Sequence, residues 1–418
     1  MSPTPPPSPS APDPVRDWAE SGVLALTGRP DGPPVIPPGR AATVARAMSS
    51  WISDVSALGG RRIDVDGARL LSERAAFTGR KRRGEVSVGG SCRLLPTADG
   101  WAAVSCARPD DPTLLGALIS DSINENDPWP AVADWIRTHT GTELAERAEL
   151  LGVAAGPVSR VSTPPPVPVP QYPRPVDGLL VVDFSSLWAG PLCAHLLGLA
   201  GARVVKVETP DRPDGARRGN PDFYRLLHGG HESVVLDPAT GAGRRALAAL
   251  VDAADIVVEA SRPRALARFG LDAAAAVARG TTWVSITAAG RSSGRIGFGD
   301  DLAAAAGLVA SDPDGTPLFV GDALADPLTG ITAAALAMSA PADGSGHLWD
   351  LSMSDLVAST LTDQPVPQPL LHDGKWVVDT SSGAAAVAEP RPRTPAGNAA
   401  PSGADTAAVL ASLGIAAP

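Results

Sequence analysis

The stretch Leu179-Leu180-Val181-Val182-Asp183-Phe184 decides the fold of this chain. It is almost continuously apolar, which is typical of a strand that is buried on both faces of a parallel sheet. Strand-like and helix-like segments alternate after it, with strands expected over 203–208, 255–259 and 282–287, and helices over 191–200, 241–253 and 271–278. This alternation predicts an α/β fold with a doubly wound, Rossmann-like sheet that binds ligands at the carboxyl ends of its strands.

A proline-rich segment, Ser162 to Pro170, precedes this pattern and is expected to be a stiff linker. In the region before it, the sequence predicts helices over 42–55 and 129–151, and strands over 91–95 and 101–105. The predicted division is a disordered arm at 1–14, a smaller α+β region with a degenerate repeat at 15–160, the linker at 161–176, a large domain at 177–360, and a loose tail at 361–418 that ends in a short helix.

Composition excludes several classes of function. A net charge of −10 over 418 residues argues against a general nucleic-acid binder, which needs a basic face. The first fourteen residues do not resemble a secretion signal, and no apolar run is long enough to suit a membrane span. The three cysteines have no metal or redox spacing, and their odd number suits a reducing, cytoplasmic location.

Several kinds of enzyme site are also disfavoured. Glu208 ends the second strand where a dinucleotide enzyme carries a ribose-binding acid, but the turn after Phe184 lacks the G-x-G-x-x-G pattern. No G-x-S-x-G elbow indicates a serine hydrolase, and no histidine pair indicates a metal site. His228 and His231 are interpreted as a solvated loop pair. We therefore expect no metal and no permanently bound cofactor.

The string Ala325-Asp326-Pro327-Leu328-Thr329-Gly330 places an acid at the start of an alanine-rich helix. Asp followed by Pro is a common helix cap, and an ionised carboxylate can equally attack an activated acyl group, so both roles remain open. The helix dipole is expected to lower the pKa of Asp326 and keep it ionised. Residues 30–36 repeat the pattern of 313–319, and this alignment sets Thr43 opposite Asp326, so the N-terminal copy lacks the acid.

Seven strings in order carry a family resemblance: Val182–Ser185 leading to Ala189–Pro191, Gly201–Glu208, Ser233–Asp237, Val258–Pro263, Arg268–Leu271, Ser285–Thr287 and Ala325–Gly330. They resemble the class III CoA-transferases, the CaiB/BaiF-type family that also contains α-methylacyl-CoA racemases. Residues 99–104 and 140–158 are similar to the small domain of that family, which follows the catalytic domain there and precedes it here. The chain resembles either a permuted single unit or a decayed tandem.

The resemblance implies a CoA-transferase that moves CoA between an acyl-CoA and a carboxylic acid, with Asp326 as the acyl-accepting residue. It implies CoA contacts from Ala189, Gly190 and Pro191 beside the pantetheine, from Lys206 and Glu208 on the nucleotide side, and from Arg262 and Arg268 near the phosphates. The phosphate assignment agrees with the position of these arginines after a strand, although a solvated surface remains an alternative for them. Members of the family form interlocked dimers, which implies a homodimer, and coenzyme A enters as a thioester substrate.

Two departures from the family pattern keep other functions open. His228 and His231 stand where the family has Asn and Lys, which questions the CoA contacts there and leaves a non-catalytic CoA-binding homologue possible. The racemases carry Gly-His-Asp where this chain has Gly299-Asp300-Asp301, so an acyl-CoA racemase or epimerase ranks below transfer. The sequence names neither the acyl donor nor the acceptor.

Overall fold

The computed structural model describes residues 12–261, 263–363 and 367–418. Arg262 and most of the arm predicted at 1–14 therefore lie outside the described residues. Up to residue 160 the helices are α1 (Pro14–Glu20), α2 (Ala41–Leu58), α3 (Gly67–Leu70), α4 (Glu73–Thr78), α5 (Asp111–Ile119), α6 (Trp129–Arg137) and α7 (Gly141–Leu151). The strands of this part are β1 (Cys92–Pro96), β2 (Trp101–Ser105) and β3 (Ala155–Pro157).

The second part of the chain contains the remaining elements. Its strands are β4 (Tyr172–Pro173), β5 (Leu180–Asp183), β6 (Arg203–Glu208), β7 (Glu232–Val235), β8 (Ile256–Glu259), β9 (Thr282–Thr287), β10 (Ala310–Ser311), β11 (Pro317–Leu318), β12 (Ser339–Ala340), β13 (His347–Ser352), β14 (Leu370–His372), β15 (Lys375–Thr380) and β16 (Gly383–Ala386). Its helices are α8 (Ala189–Leu199), α9 (Pro221–His228), α10 (Gly241–Ala253), α11 (Pro263–Arg268), α12 (Ala273–Ala278), α13 (Gly299–Ala305), α14 (Ala325–Ala337), α15 (Met353–Ser359) and α16 (Thr406–Ser412). Single 3₁₀ turns lie at Leu24–Leu26 and Gly215–Arg218.

A six-stranded sheet forms the centre of the second part, with the order β13-β9-β8-β5-β6-β7. Every pairing within it is parallel. The first strand in the chain, β5, lies in the middle. The next two strands, β6 and β7, lie on one side of it, and β8, β9 and β13 lie in that order on the other side, which is the Rossmann order. The predicted doubly wound α/β fold is confirmed, and β6, β9 and α10 have the predicted bounds.

Both faces of this sheet are covered, as the apolar run at 179–184 predicts. Val181 faces a core shared with α2, α8 and α14, whereas Leu180 and Val182 face a second core shared with α10, α12 and α16. Neighbouring strand residues point to opposite faces, so a continuously apolar strand supplies both cores. This arrangement directs the carboxyl ends of the strands toward the loops that carry the polar residues.

The region before the linker contributes to two different cores. Helix α2 packs against α14, and Trp18, Met48 and Leu71 belong to the same core as the central sheet. The small antiparallel sheet β1-β2-β3 instead packs with α5, α6 and α7 around its own apolar cluster. The proline-rich segment thus does not separate two independent cores, and the predicted domain division stays a prediction.

Two sequence expectations differ from the structure here. The helix predicted over 129–151 is divided, because the Glu143 N–H donates a hydrogen bond to the Thr140 hydroxyl and the Thr140 N–H donates one to the Glu143 carboxylate, forming a capping box that starts α7. Part of the tail predicted to be loose is ordered: β14, β15 and β16 form a sheet that packs on α1, and α16 packs beside β7. In the described part of the chain, no helix is both long and apolar enough to cross a bilayer.

Candidate active site

Asp326 lies in the first turn of α14, but it does not cap the helix. The residue before the helix is Leu324, no side chain bonds to the helix start, and Asp326 is the second helical residue. Its side chain is half-buried and lines a cavity of about 250 Å³. The capping role that the Asp-Pro pair leaves open is therefore wrong, and the carboxylate is free to meet a molecule in the cavity.

This cavity lies at the carboxyl ends of the central strands. It is bounded by the segments that follow β5, β8 and β9, by residues 293–298, and by Met353 at the start of α15. Arg108 also lines it and comes from the loop after β2, before the linker. Both parts of the chain therefore build the wall around Asp326, at the edge of the sheet where an open α/β fold binds its ligands.

Glycines allow the close approach that positions Asp326. A Cβ atom at Gly330 would lie 2.6 Å from the Ala189 carbonyl oxygen, so the glycine lets α14 pack directly on the start of α8. A Cβ atom at Gly299 would lie 2.3 Å from the Ala323 carbonyl oxygen and 2.5 Å from Asp326 Oδ2, so the main chain of α13 passes directly beside the carboxylate. Any larger side chain at Gly299 would have to displace it.

The expected lowering of the Asp326 pKa is not met. Burial raises the pKa of Asp326 to about 7, and the negative charges of Asp300, Asp301 and Asp322 act in the same direction, whereas the Arg74 guanidinium opposes them. Desolvation disfavours the charged form of a carboxyl group, and here it outweighs the helix start. Asp326 therefore titrates near neutral pH.

Among the described residues, Arg74 of α4 is the cation that most lowers the pKa of Asp326. Its Nε donates to Asp322 Oδ2 at 2.8 Å and its Nη2 to Asp322 Oδ1 at 2.5 Å, while the guanidinium stacks over the Trp188 ring at 4.6 Å. Such a fork fixes the guanidinium precisely in space. Sequence reasoning misses Arg74, because it lies 248 residues from Asp322 and in no recognisable motif.

The two other acids of the cluster are held by hydrogen bonds on one oxygen. Asp300 Oδ1 accepts the Ala323 N–H at 2.8 Å, and burial raises its pKa to about 6. Asp301 Oδ1 accepts the Ser105 hydroxyl at 2.9 Å and the Phe298 N–H at 2.8 Å, and burial raises its pKa to about 7. Ser105 ends β2, so the region before the linker again reaches the acid cluster.

A second cavity of about 230 Å³ continues from the first. The two share Ser186 and Ser261, and the second extends past Phe184 and Phe269 toward Glu208. The resulting cleft has one end at Asp326 and a second, partly aromatic end beside β6. Such a shape suits a long substrate with one reactive end.

The structure distributes the predicted CoA-binding residues unevenly along this cleft. Ala189 lines the Asp326 cavity, while Gly190 and Pro191 are buried in the first turn of α8. A Cβ atom at Gly190 would lie 2.1 Å from Ser185 Cβ, so the turn requires glycine. Arg268 is exposed at the end of α11, one residue from Phe269 of the second cavity.

Lys206 and Glu208 are engaged with protein groups. The buried Lys206 Nζ lies 2.9 Å from the Ser185 carbonyl oxygen and 2.9 Å from Asp214 Oδ2, and it lines neither cavity. Glu208 lines the second cavity, but it accepts bonds from Arg217 and from the Asp214 N–H. Burial alone would raise the pKa of Glu208, and these bonds lower it instead. Both residues bind the loop at 209–218, and residues of that loop line the second cavity.

The interpretation of His228 and His231 as a solvated pair is wrong. Both rings are buried, at 2% and 8% exposure, and no hydrogen bond reaches either ring nitrogen of His228 from the described residues. Burial and the charge of Lys206 hold the pKa of His228 well below its usual value and lower that of His231 to about 3. Neither ring lines the cleft, and the described residues contain no group of His, Cys, Asp and Glu that could hold a metal ion.

Thr43, which the repeat aligns with Asp326, has a structural contact. It lies in α2, and its hydroxyl donates a hydrogen bond to Asp17. Because α2 packs directly on α14, the two aligned segments are neighbours in the core. Only the C-terminal segment carries an acid that faces the cavity.

Comparison with known proteins places these features in a family. The model of CoA-transferase family III matches residues 176–393, which is just over half of the chain. The succinate–glutarate CoA-transferase of Agrobacterium fabrum is 28% identical over 220 residues, covering 47% of this chain and 55% of that enzyme. The formyl-CoA:oxalate CoA-transferase of Escherichia coli is 30% identical over 214 residues, covering 44% of this chain and 48% of that enzyme.

A solved structure shows the same partial overlap. A CAIB/BAIF family protein from Brucella suis is 27% identical, with 51% of this chain and 65% of that chain covered at a TM-score of 0.43. The chain spans about half the length of the two CoA-transferases it matches. The matched half contains Asp326 and the central sheet, whereas Arg74, Ser105 and Arg108 lie outside it.

Proposed function

The chain belongs to CoA-transferase family III, and we propose that it moves coenzyme A from an acyl-CoA to a free carboxylic acid through covalent intermediates on Asp326. The observation that carries this proposal is the position of the Asp326 carboxylate. It lies in the matched region, faces a cavity at the carboxyl ends of the strands, and does not cap its helix. A carboxylate with a pKa of about 7 is also a stronger nucleophile than an ordinary one once it is ionised.

The proposed reaction splits one transfer into four displacements. An Asp326 oxygen attacks the thioester carbonyl of the donor, the C–S bond breaks, and a mixed anhydride and CoA thiolate form. The thiolate attacks the Asp326 carbonyl carbon, which releases the donor acid and leaves an aspartyl-CoA thioester. The acceptor carboxylate attacks this thioester to give a second anhydride, and the departing thiolate attacks its acyl carbonyl. The new acyl-CoA leaves and the Asp326 carboxylate is regenerated.

The two connected cavities support one orientation of the substrate. We propose that the thioester lies in the Asp326 cavity and that the nucleotide lies toward Glu208, Phe269 and Arg268. Ala189 would then flank the pantetheine chain, and Lys206 would hold the Ser185 turn beneath it. The exposed Arg212, which lines the second cavity, and the exposed Arg268, next to Phe269 of that cavity, are described cations that could meet the phosphates.

Racemisation of an acyl-CoA is the alternative within enzymes, and the surroundings of Asp300 argue against it. A racemase needs a base that faces the α-carbon of the acyl group. Asp300 stands where the racemases carry histidine, but it is buried, accepts the Ala323 N–H and does not line the Asp326 cavity. Transfer therefore remains the better-supported function.

Chemical trapping of the intermediate tests the proposal. The protein is incubated with an acyl-CoA and hydroxylamine, and the modified peptides are mapped by mass spectrometry. We expect a hydroxamate at Asp326, and a fall in transfer rate of about a thousandfold or more in Asp326→Ala. Asp314→Ala, which removes an exposed carboxylate from a turn, is the matched control and should retain activity.

Other outcomes of this experiment would identify the alternatives. An unmodified Asp326, together with full activity of Asp326→Ala, would refute the mechanism. Proton exchange at the acyl α-carbon without CoA transfer would identify a racemase. Binding of CoA without any exchange of label between acyl-CoA and free acids would identify a non-catalytic homologue.

We also propose that the protein acts as a cytoplasmic homodimer. The implied family assembly supports this, and light scattering of the purified chain would test the dimer. A monomer that catalyses transfer at the full rate would contradict it.

A further inference from the structure

A run of four cations, Arg80-Lys81-Arg82-Arg83, follows α4 in a chain whose net charge is −10. We call this run the basic loop. Its first three residues line a cavity of about 590 Å³ that shares no lining residue with the Asp326 cleft. Much of the remaining wall is apolar and includes Ala25, Leu26, Ala75 and Pro390. The cavity is therefore a separate candidate site, and its positive charge comes from one loop.

The backbone holds the basic loop in a fixed shape. Helix α4 ends at Gly79, whose φ of 65° lies in the left-handed region that favours glycine, and the chain turns there into the loop. At the other end, the Gly84 N–H donates to the Gly28 carbonyl oxygen and the Gly84 carbonyl oxygen accepts the Phe319 N–H, both at 3.0 Å. A ligand therefore meets a loop that is already ordered, which lowers the entropic cost of binding.

The protein does not neutralise the charges that face this cavity. The half-buried Arg82 guanidinium donates to three main-chain carbonyl oxygens, at 2.6–3.3 Å, and to no described carboxylate. Lys81 is exposed and likewise forms no ion pair with a described residue. Glu389 is the one acid among the described residues that line the cavity. Three cations thus face one carboxylate, which leaves a surplus of positive charge.

A phosphorylated anion suits this surplus better than a single carboxylate does. Arginine forks bind pairs of phosphate oxygens, and lysine binds phosphate as a compact point charge. A diphosphate group presents oxygens on two phosphorus atoms and carries several negative charges, so it matches Arg80, Lys81 and Arg82 together. A monocarboxylate offers two oxygens and a single charge. The basic loop therefore favours a diphosphate group, either free or as part of a nucleotide.

Arg80 connects this cavity to the surroundings of Asp326. Its Nη1 lies 4.0 Å from Asp322 Oδ1, the oxygen that also accepts Arg74 Nη2 at 2.5 Å, and its side chain is 38% exposed. An anion in the cavity would draw the Arg80 guanidinium away from Asp322. The charge of Asp322 raises the pKa of Asp326, together with the charges of the two acids of α13, whereas Arg74 lowers it. Occupancy of the cavity should therefore favour the protonated, unreactive form of Asp326.

We propose that the cavity of the basic loop binds a diphosphate group and that the bound anion slows the reaction at Asp326. The binding is independent of the proposed CoA transfer, whereas the slowing rests on it. The site would give the protein a control by small phosphorylated molecules that is separate from the cleft for the CoA nucleotide.

Calorimetric titration of the full chain with sodium pyrophosphate tests the binding. Saturating CoA is present and divalent metal ions are absent, so that the nucleotide end of the cleft is occupied and the anion is free. We expect binding to the wild type, and a Kd roughly 10- to 100-fold higher in the double variant Arg80→Gln, Lys81→Gln. No binding, or equal binding to both proteins, would overturn the proposal. A parallel titration with ADP identifies the source of the group, because tighter binding than pyrophosphate indicates a nucleotide and weaker binding indicates a free diphosphate.

Two variants control for the total charge of the loop. Arg83→Gln removes the same charge, but Arg83 does not line the cavity, and its guanidinium lies beside Gly90 instead. Its Kd should stay within about twofold of the wild type. Glu389→Gln removes the acid from the wall and should lower the Kd severalfold. An equal loss of affinity in Arg83→Gln and the double variant would show a general charge effect and would overturn the site.

Steady-state kinetics test the coupling to Asp326. Pyrophosphate should lower kcat at pH 7 roughly two- to fivefold without raising the KM for the acyl-CoA, and the double variant should not respond. A higher KM with unchanged kcat would place the anion in the CoA cleft and overturn the proposed control. If the wild type transfers no CoA at all, the proposed function is wrong, and the calorimetry still decides whether the basic loop binds the diphosphate group.

Discussion

Replacing Arg74 with methionine should move the pH dependence of catalysis to higher pH. The guanidinium of Arg74 is the cation that opposes the raised pKa of Asp326, while Asp300, Asp301 and Asp322 act in the opposite direction. Removing a positive charge favours the protonated form of a nearby carboxyl group. The reaction needs ionised Asp326, so the variant requires a higher pH for the same rate.

The size of the shift follows from the charge balance of the pair. An opposite charge within about 4–6 Å changes a carboxyl pKa by about 1–3 units. Asp322 has no exposed side-chain surface and is forked to Arg74, so it cancels part of the field of the guanidinium. We therefore expect a shift of about one pH unit, which lowers the rate at pH 7 roughly fivefold and leaves the rate at pH 9 little changed.

Paired variants make the assay decisive. We measure kcat/KM for CoA transfer from pH 5.5 to 9, and the rate of hydroxylamine trapping at Asp326 over the same range. Asp322→Asn leaves Arg74 without its counter-charge and should move the midpoint to lower pH. The double variant should have a midpoint between those of the two single variants. Thermal unfolding checks that each variant is folded, because breaking a buried pair can cost about 3–5 kcal/mol.

The two single variants should shift the midpoint of the pH profile in opposite directions, so the assay can refute this reasoning. If Arg74→Met leaves the midpoint in place or lowers it, Arg74 does not control the ionisation of the nucleophile. A uniform loss of rate at every pH would instead mean that Arg74 only maintains the shape of the site.

Three further predictions concern the surroundings of the site. Asp301→Asn keeps the bonds from Ser105 and Phe298 but removes a group whose pKa in the folded state, about 7, lies above its pKa in the unfolded chain. The folded state therefore binds this proton more tightly than the unfolded chain does. As a result, the free energy of unfolding falls as pH rises from about 4 to about 7. The variant should gain about 4 kcal/mol in urea unfolding at pH 8 and about 1 kcal/mol at pH 4.5, and an equal gain at both would contradict this. Gly299→Ala should lower kcat about a hundredfold by displacing the Asp326 carboxylate, and unchanged kcat would refute the contact. Glu73→Gln breaks the fork from Arg393, at 2.7 and 2.8 Å, and should speed proteolysis within 388–402; an unchanged cleavage rate would show that the fork does not hold the tail.

The central sheet could be predicted because its signal is local. Each strand is a short apolar run buried on both faces, and the helices between strands have their own periodicity, so no long-range information is needed. The division of the helix at 129–151 was also present in the sequence. Thr140 and Glu143 have the spacing of a capping box, which outweighs the apolar pattern that continues across it.

The surroundings of Asp326 could not be predicted in the same way. The motif identifies the residue, but its pKa depends on burial and on Arg74, which reaches Asp322 across 248 positions. The burial of His228 and His231 likewise depends on packing against distant segments, since a Gly-bearing loop reads as solvated.

These contacts change the meaning of the proline-rich linker. It separates two patterns of sequence, yet Arg74, Ser105 and Arg108 all precede it and reach the acid cluster or the cavity that follow it in the chain. The family match covers Asp326 but not these three residues. The ionisation of Asp326 therefore depends on a part of the chain that the match does not include. A fragment that begins after the linker would keep the motif but lose Arg74, the cation that most opposes the pKa rise. The site around Asp326 is accordingly larger than the matched region, and residues on both sides of the linker build it.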